Sequence, residues 1–436
     1  MSSATLEEPF MPEIITRPVP QPDMPEWFQS ARCEAWNRFE KLAWPKRTDE
    51  SWRFTDLKKI DIAGAKRAEE VAEAAELISR STSLEAVSGR MIFANDRMVH
   101  HSILSDELRA KGMIWESLGI AVREHAEIVR RHFMTQPVLL GGDKFAALHQ
   151  ANVTNGTFLF IPKNTEISLP IEVFHWMSGD NVAVFPHTLI VVGENSRVTL
   201  VDHFLGASSK TSGVACGVND LFLETGAKLT YVNVQGWSEN TKAFQMNSTV
   251  VGRDAASTSL TLNLGAAYAR GESVSHLAGQ GGRSDMLSVN VTNGRQEIDQ
   301  RTFQIHEVPN TASDLLYKNS LDDQARTLFA GLIRVEPGAH KTDAYQKVRN
   351  LLLSDEAEAN SAPGLEIEAD DVRCTHGATS GQVEAEELFY LLARGIPMKQ
   401  AQKLIVHGFL QEAIDRLGNE AIAKVLGERV SEKFAG

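Results

Sequence analysis

The sequence predicts a mainly β protein whose core is a solenoid of stacked β-coils, flanked by helical segments at both ends. Three observations support this prediction. After Pro137, short segments with strand-like alternation recur at a fixed step, and turn-forming residues precede them. Near the C-terminus the hydrophobic period changes from that of strands to that of helices. A long repeat of fixed length, made of segments in which side chains alternate with a period of two, is typical of stacked coils. In such coils equivalent side chains form one interior column.

The repeat is clearest in Thr165–Leu169, Ser196–Leu200 and Ala227–Tyr231, which share one alternating pattern. Ser257–Leu262 and Ser288–Asn293 continue it less regularly. Each segment has an equivalent apolar position, and these positions are 31 residues apart from one segment to the next. They are Ile167, Val198, Leu229, Leu260 and Val291. The column predicts a continuous apolar interior. The alternative is a β-sandwich whose strands happen to be evenly spaced.

Turn-forming groups precede the first three of these segments, at Pro162–Asn164, Gly193–Asn195 and Glu224–Gly226. An apolar run comes before each turn, so the repeating unit is predicted to be strand, turn and strand. Strand patterns persist through Leu328–Val335 and Val348–Leu353. The sequence therefore predicts that the β-core extends over residues 137–380.

The segments before the core are predicted from proline content and helix propensity. Residues 1–26 carry six prolines, which interrupt helices and sheets, and are predicted to be a flexible tail. Residues 27–61 have helical spacing that ends at Trp44-Pro45, and residues 65–79 are rich in helix formers. The pattern from Met91 to Gln136 is mixed. Together residues 27–136 are predicted to form an N-terminal helical or mixed domain.

Three helices are predicted in a C-terminal domain, residues 381–436. The first spans Glu384–Arg394 and is closed by Gly395. Pro397 is well placed to open the second, which Gly418-Asn419 ends, and the third spans Glu420–Lys433. The side chains expected to face inward are Leu388, Leu391 and Leu392 on the first helix and Leu404, Ile405, Phe409 and Ile414 on the second.

Composition narrows the class of protein. The net charge of −13 argues against a surface for nucleic acid or anionic lipid, because both attract basic residues. Three distant cysteines predict a reducing compartment and no disulfide framework. The absence of an apolar run of membrane-spanning length and of a secretory signal leads us to expect a soluble, cytoplasmic protein.

Common catalytic motifs are missing from the sequence. It contains no phosphate loop of the GxxxxGK[ST] type, no HExxH and no GxSxG. Gly279–Gly282 is interpreted as a tight turn. A carbohydrate-acting β-helix enzyme would need clustered carboxylates on one β-face and usually secretion, and neither signal is visible. We therefore expect no catalytic residues.

One short constellation is chemically suggestive, from Asp370 to Thr379. In a strand, Cys374 and His376 are two residues apart and point to the same face, where a thiolate and an imidazole can share iron or zinc. Two ligands cannot complete a tetrahedral site. On spacing alone, a half-buried cysteine and a hydrogen-bonded histidine are the simpler interpretation. The other histidines, which show no close ligand spacing, include His149, His175, His187, His203, His276, His306, His340 and His407.

The motifs of the C-terminal half resemble those of the SufB/SufD family, scaffold proteins of the Suf iron–sulfur cluster assembly system. They cover about residues 313–409, and Glu50–Leu57 resembles the entry motif of the family near the N-terminus. The matching segments are Ser313–Asn319, Phe329–Ile333, Gln346–Ser354, Ala362–Ile367, Asp371–Thr379 and Leu388–Ile396.

The resemblance implies a right-handed parallel β-helix between helical terminal domains. It also implies a complex in which a SufB-like and a SufD-like chain pair through their β-helix ends, and each binds one SufC-like ABC ATPase through its C-terminal helices. His376 and, after it, Cys374 are then expected to bind a nascent iron–sulfur cluster shared with the partner chain. Reduced flavin is implied as an electron source for the complex, with no site that the sequence identifies.

The departures from the SufB pattern place the resemblance in the SufD-type branch. The SufB type has Glu-His-Glu-Ala-Thr where this chain has Cys374-Thr-His-Gly-Ala-Thr379, and Pro337–Asp343 lacks the cysteine that the SufB type carries there. The expected function is a non-catalytic scaffold, with ATPase activity in the SufC-like partner. The alternative is a SufB-like homodimeric scaffold that holds a cluster without SufB.

Overall fold

The computed structural model describes residues 17–434. Most of the predicted tail, residues 1–16 with Pro9 and Pro12, lies outside the described residues, as do residues 435–436. Residues 17–25 contain no helix or strand. Among the described residues no helix combines the length and apolar character needed to span a bilayer.

Helices occupy both ends of the described chain and strands occupy its middle. The helices are α1 Glu26–Lys41, α2 Ala74–Arg80, α3 Asp106–Ala110, α4 Leu118–Glu124, α5 Ala126–His132, α6 Asp143–Asn152, α7 Ala385–Leu392, α8 Met398–Asp415 and α9 Glu420–Lys433, with 3₁₀ turns at Glu50–Trp52 and Leu57–Ile60. The strands are β1 Lys66–Arg67, β2 Gly89–Ala94, β3 Arg97–His101, β4 Ile114–Ser117, β5 Thr157–Ile161, β6 Ile171–Met177, β7 Val182–Val184, β8 His187–Val192, β9 Arg197–Gly206, β10 Ser212–Leu223, β11 Lys228–Gly236, β12 Asn240–Val251, β13 Ala256–Asn263, β14 Tyr268–Leu277, β15 Arg283–Thr292, β16 Glu297–His306, β17 Ala312–Leu321, β18 Arg326–Val335, β19 Asp343–Leu352, β20 Glu358–Ile367 and β21 Arg373–Gln382.

The core is a parallel β-solenoid, which confirms the predicted fold class. Strands β5, β8, β10, β12, β14, β16, β18 and β20 form one sheet in that order, sheet A. Strands β6, β9, β11, β13, β15, β17, β19 and β21 form the facing sheet B. Successive strands alternate between the sheets and pair in parallel with the coil before, so each coil stacks on its predecessor.

One corner of the solenoid repeats a left-handed residue on every coil. These residues have φ between 52° and 77° and are Asn164, Asn195, Gly226, Asp254, Gly281, Asn310, Lys341 and Asp371. Asparagine, aspartate and glycine adopt this conformation at low cost, and they supply all but one of the positions. The turn groups predicted at Asn164, Asn195 and Gly226 are therefore confirmed.

The predicted step of 31 residues holds for the first coils but not for the coils that follow them. Val198 pairs with Leu229 as predicted, but Leu229 pairs with Ser257, 28 residues further on. Leu260 and Val291 face outward, into an apolar cluster that contains side chains of α8 and α9. Their assignment to the interior column is therefore wrong. Pairing fixes only the register between strands, and the corners can shorten without disturbing it.

The N-terminal segments cover sheet A and close one end of the solenoid. Helices α1 and α6 pack on each other, and α6 packs on β10. The helical prediction is right for α1 but wrong beyond it, where the chain passes into 3₁₀ turns after Pro45. The helix predicted over residues 65–79 is confined to α2. Antiparallel strands β3 and β4 lie at this end of the two sheets.

The C-terminal helices lie on the outer face of sheet B. Helix α8 contacts β15 and β17, and its buried residues include Val406, Leu410 and Ile414. The predicted inward face of this helix is therefore wrong in part, because Leu404 is exposed and only Ile414 of the predicted set is fully buried. The three helix boundaries agree with the predicted ones to within two residues.

Candidate functional site at the open end of the solenoid

The last coil of the solenoid has strand partners on one side only. Strand β20 pairs with β18 and β21 pairs with β19, and no strand among residues 17–434 pairs with the opposite edge of either. Sheets A and B therefore end together, side by side. The result is a pair of unpaired strand edges around an uncovered interior, at the end opposite β3 and β4.

Cys374 and His376 lie inside this open coil. In register, Cys374 pairs with Ala344 and His376 pairs with Gln346, and both partners are fully buried inward-facing residues of β19. Side chains at paired positions of parallel strands point to the same face, so both site residues face the solenoid interior. His376 is nevertheless exposed, because its coil is the last one.

The Cys374 side chain packs against apolar residues of the preceding coil. It packs against a cluster that contains Ile333, Val335 and Ala344, and it is half-buried. Burial raises the pKa of the thiol, and the nearby Asp343 carboxylate raises it further, while a backbone hydrogen bond from Ala344 opposes them. Metal binding by this residue therefore has to displace a proton.

The other cysteines lie elsewhere in the fold. Cys33 is on α1, and Cys216 is buried on β10, where its thiol donates a hydrogen bond to the Phe145 carbonyl oxygen at 3.3 Å. Burial raises the pKa of Cys216 far above its ordinary value. Within residues 17–434 no three His, Cys, Asp or Glu side chains are placed to hold a metal ion together. The open coil thus contributes two candidate ligands, Cys374 and His376.

Sequence spacing missed a buried polar chain between α6 and sheet A. His149 Nδ1 lies 2.7 Å from the Cys216 carbonyl oxygen, so it donates there. Its Nε2 therefore accepts from His187 Nδ1 at 3.1 Å, and His187 Nε2 faces Asp220 Oδ2 at 3.5 Å. Residues 38 apart in sequence meet here because one is on a packed helix and the other on a strand.

Burial disfavours the charged form of all three groups in this chain. Burial lowers the pKa of His149 to about 4, although the Cys216 carbonyl opposes the shift, and lowers that of His187 well below its usual range. Burial raises the pKa of Asp220 to about 7, against a hydrogen bond from the Met134 backbone N–H. Neutral imidazoles give the His149–His187 contact one donor and one acceptor, whereas His187 Nε2, at 3.5 Å from Asp220 Oδ2, has no hydrogen-bond partner.

A second surface stands out on the C-terminal helices. Phe389 and Tyr390 on α7 are 71% and 56% exposed, and Met398 and Leu404 on α8 are also largely exposed. Ile405 and Phe409 are only half-buried beside them. Large apolar side chains grouped on two adjacent helices are typical of a protein-binding surface.

Comparison with known proteins gives a consistent result across the chain. The family model "SUF system FeS cluster assembly, SufBD core domain" matches residues 175–409, and "SufBD protein N-terminal region" matches residues 19–173. The chain is 29% identical to iron-sulfur cluster assembly protein SufD of Bacillus subtilis, over 94% of both chains. It is 28% identical to a SufBD family protein of Synechocystis, over 86% of this chain and 84% of the relative. A SufBD family protein of Staphylococcus saprophyticus is 27% identical, over 72% and 67% of the two chains.

Proposed function

Because this chain belongs to the SufBD family of iron–sulfur cluster assembly proteins, we propose that it is a non-catalytic, SufD-type scaffold subunit. It pairs with a SufB-like paralogue through the open end of the solenoid and binds a SufC-like ABC ATPase through its C-terminal helices. A nascent cluster forms where Cys374 and His376 meet the partner. The observation that carries this proposal is the uncovered last coil with these two residues inside it.

The geometry of the open coil supports pairing with another β-solenoid. The unpaired N–H and C=O groups of β20 and β21 can accept strands from a second chain, as in other cases of strand addition. Such pairing would cover Cys374 and His376 from the side that is now exposed. A cluster held there would be shared between two chains and shielded from water.

The chemistry of the two residues suits iron as cargo. A cysteine thiolate is a good ligand for iron in clusters, and an imidazole can ligate iron or take the thiol proton. The remaining ligands would come from the partner chain or from sulfide. Reduced flavin is proposed as an electron source for the whole complex. We assign none of the described residues of this chain to a flavin site.

The exposed apolar surface of α7 and α8 supports the second contact. It includes Phe389, Tyr390, Met398 and Leu404, and α8 is anchored to sheet B through its opposite side. A rigid helix with one buried and one free apolar face can present that free face to a partner. We assign this surface to the ATPase subunit.

Substitution of His376 tests the cluster site. The chain is co-expressed with its host's SufB-like and SufC-like proteins, purified through a tag on this chain, and analysed for partner subunits and iron. In His376→Ala we expect both partners to be recovered, with iron reduced at least about tenfold, because a ligand is lost. The matched control is His276→Ala, which removes a histidine paired with Glu307 on the outside of the solenoid.

Two outcomes would contradict this proposal. Unchanged iron in the His376→Ala complex removes His376 from the site. Recovery of the wild-type chain without either partner contradicts SufD-type pairing and favours the alternative, a SufB-like homodimeric scaffold that pairs the same open ends with a second copy. Iron in that self-paired chain would establish the alternative directly.

A further inference from the structure

Gln346 lies directly beneath His376 in the solenoid interior. The two residues are in register on β19 and β21, and Gln346 is 0% exposed. Gly331 on the facing sheet makes room for it, because a Cβ there would lie 2.3 Å from Gln346 Nε2. The Oε1 atom of Gln346 is buried without a hydrogen-bond partner. A buried unpaired acceptor of this kind is costly unless a donor reaches it.

The orientation of the Gln346 amide is set by a hydrogen-bond chain that begins at His306. Burial lowers the pKa of His306 to about 4, so its imidazole is neutral and has one N–H. The Thr311 hydroxyl donates to the Val308 carbonyl oxygen at 3.2 Å and therefore accepts from His306 Nδ1 at 2.8 Å. His306 Nε2 is then an acceptor, and the Ser313 hydroxyl donates to it at 2.8 Å.

The chain continues through a second glutamine to the open coil. Ser313 Oγ accepts from Gln304 Nε2 at 2.8 Å, which turns Gln304 Oε1 toward Gln346. Gln346 Nε2 donates to that oxygen at 3.3 Å. Each hydrogen bond in this chain fixes whether the next group acts as donor or acceptor. Gln346 therefore uses its Nε2 as the donor to Gln304 and presents a free carbonyl oxygen, and not an N–H group, beneath His376.

We propose that Gln346 is a positioning residue: the exposed His376 ring, which makes no hydrogen bond to Gln346 in the structure, turns inward in solution, and Oε1 then accepts a hydrogen bond from one ring N–H and so fixes the tautomer and orientation of that imidazole. The other ring nitrogen is then unprotonated and available to iron or to a proton of the site. Histidines that bind metals commonly donate their second N–H to such an acceptor. The inference rests on the role proposed for His376, and it adds Gln346 and, through it, Gly331 to the site.

The direct test is the tautomeric state of His376 in the full-length chain without iron. The protein is labelled with ¹⁵N-histidine and studied by NMR in alkaline buffer, where imidazoles are neutral. The His376 signals are assigned by their loss in His376→Gln. We expect two well-separated ring ¹⁵N shifts, which indicate a single tautomer. Averaged shifts in the wild-type chain would overturn the proposal without any variant.

Variants of Gln346 provide a second test of the positioning role. Gln346→Met keeps the length of the side chain but has no amide, and we expect it to average the His376 shifts. Gln346→Glu keeps an acceptor oxygen and should preserve the single tautomer. The control Gln300→Met removes another buried interior glutamine, which bonds to Ser288, and should leave the His376 signals unchanged. A single tautomer that persists in Gln346→Met overturns the proposal.

The iron content of the co-expressed complex tests this inference separately from the proposed function. We expect Gln346→Met to lower iron by about tenfold, the lower end of what loss of a ligand's hydrogen-bond partner costs, and Gln346→Glu to restore most of it. If Gln346→Met averages the tautomer while His376→Ala leaves iron unchanged, the positioning contact is real and the cluster role of His376 is wrong. If His376→Ala lowers iron and Gln346→Met does not, the positioning role is wrong.

Discussion

Asp220 and Asp299 are both buried carboxyl groups on sheet A, and their surroundings give them opposite behaviour. Asp299 lies 2.7 Å from Arg270 and 2.6 Å from Arg301, so these two guanidinium groups outweigh burial and lower its pKa. Asp220 lies 3.5 Å from His187 and accepts a hydrogen bond from the Met134 backbone N–H, and burial raises its pKa to about 7. A buried carboxylate is stabilised where cations surround it and is costly elsewhere.

We predict that Asp220→Asn stabilises the protein above neutral pH. The pKa of Asp220 is raised on folding, so the folded state holds a proton that the unfolded state has lost, and wild-type stability falls as pH rises from about 4 to about 7. Asparagine does not ionise, and its amide oxygen can still accept the hydrogen bond from the Met134 N–H. Urea unfolding should show a gain of roughly 2–4 kcal/mol at pH 8 that shrinks at pH 5. A gain that is equal at both pH values would contradict the pKa assignment.

Asp299→Asn is the matched control, with the opposite sign. Its pKa is lowered on folding, so its contribution is present above the ordinary pKa of aspartate and is lost as pH falls below it. The change leaves Arg270 and Arg301 without their shared carboxylate and should cost about 3–5 kcal/mol at neutral pH. The same urea titration measures it.

At the scale of elements, the second C-terminal helix has two apolar sides with different uses. Val406, Leu410 and Ile414 hold α8 on sheet B, whereas Leu404 is exposed beside Phe389 of α7. Removing the three helices would therefore uncover the outer face of sheet B as well as remove the proposed docking surface. Point substitutions can separate these two effects.

We predict that Phe389→Ser combined with Leu404→Ser abolishes recovery of the ATPase subunit in the co-purification. The melting temperature should change little, because both side chains are exposed in the isolated chain. The control Leu410→Ala removes a buried contact and should cost about 2–5 kcal/mol. Full recovery of the ATPase with the double variant would place its binding surface elsewhere.

At the scale of the whole molecule, the two ends of the solenoid differ. Strands β3 and β4 and the cluster that contains Met91, Phe93 and Trp115 close the first end. The last end has open edges, and no residue of β20 or β21 is fully buried. In a stacked solenoid each coil is stabilised mainly by its neighbours, so the last coil has half the usual support.

We predict that β20 and β21 are the least protected strands of the solenoid core in amide hydrogen exchange of the isolated chain. Addition of the SufB-like partner should slow their exchange by at least about tenfold, because strand pairing satisfies their free edges. Strands β10 and β12 in the middle of sheet A serve as the internal reference and should not change. Protection that appears elsewhere, with β20 and β21 unaffected, would contradict pairing through the open end.

Several features of this protein follow from the sequence alone. Asparagine and glycine at positions 164, 195 and 226 predicted the corner turns, because few residues adopt positive φ without strain. The spacing of Cys374 and His376 predicted one shared face, since strands alternate with a period of two. The breaks at Gly395, Pro397 and Gly418 predicted the helix boundaries at the C-terminus.

Other features were decided only by the tertiary structure. Leu260 and Val291 face outward because coils shorten at their corners, and a local pattern does not record such a change of register. Leu404 is exposed because sheet B supports a different side of α8, and the helix alone has more than one apolar side. Gln346 was placed beneath His376 by stacking, 30 residues away in sequence. Contacts between coils depend on the sum of all intervening turns, so they are determined only when the whole chain has folded.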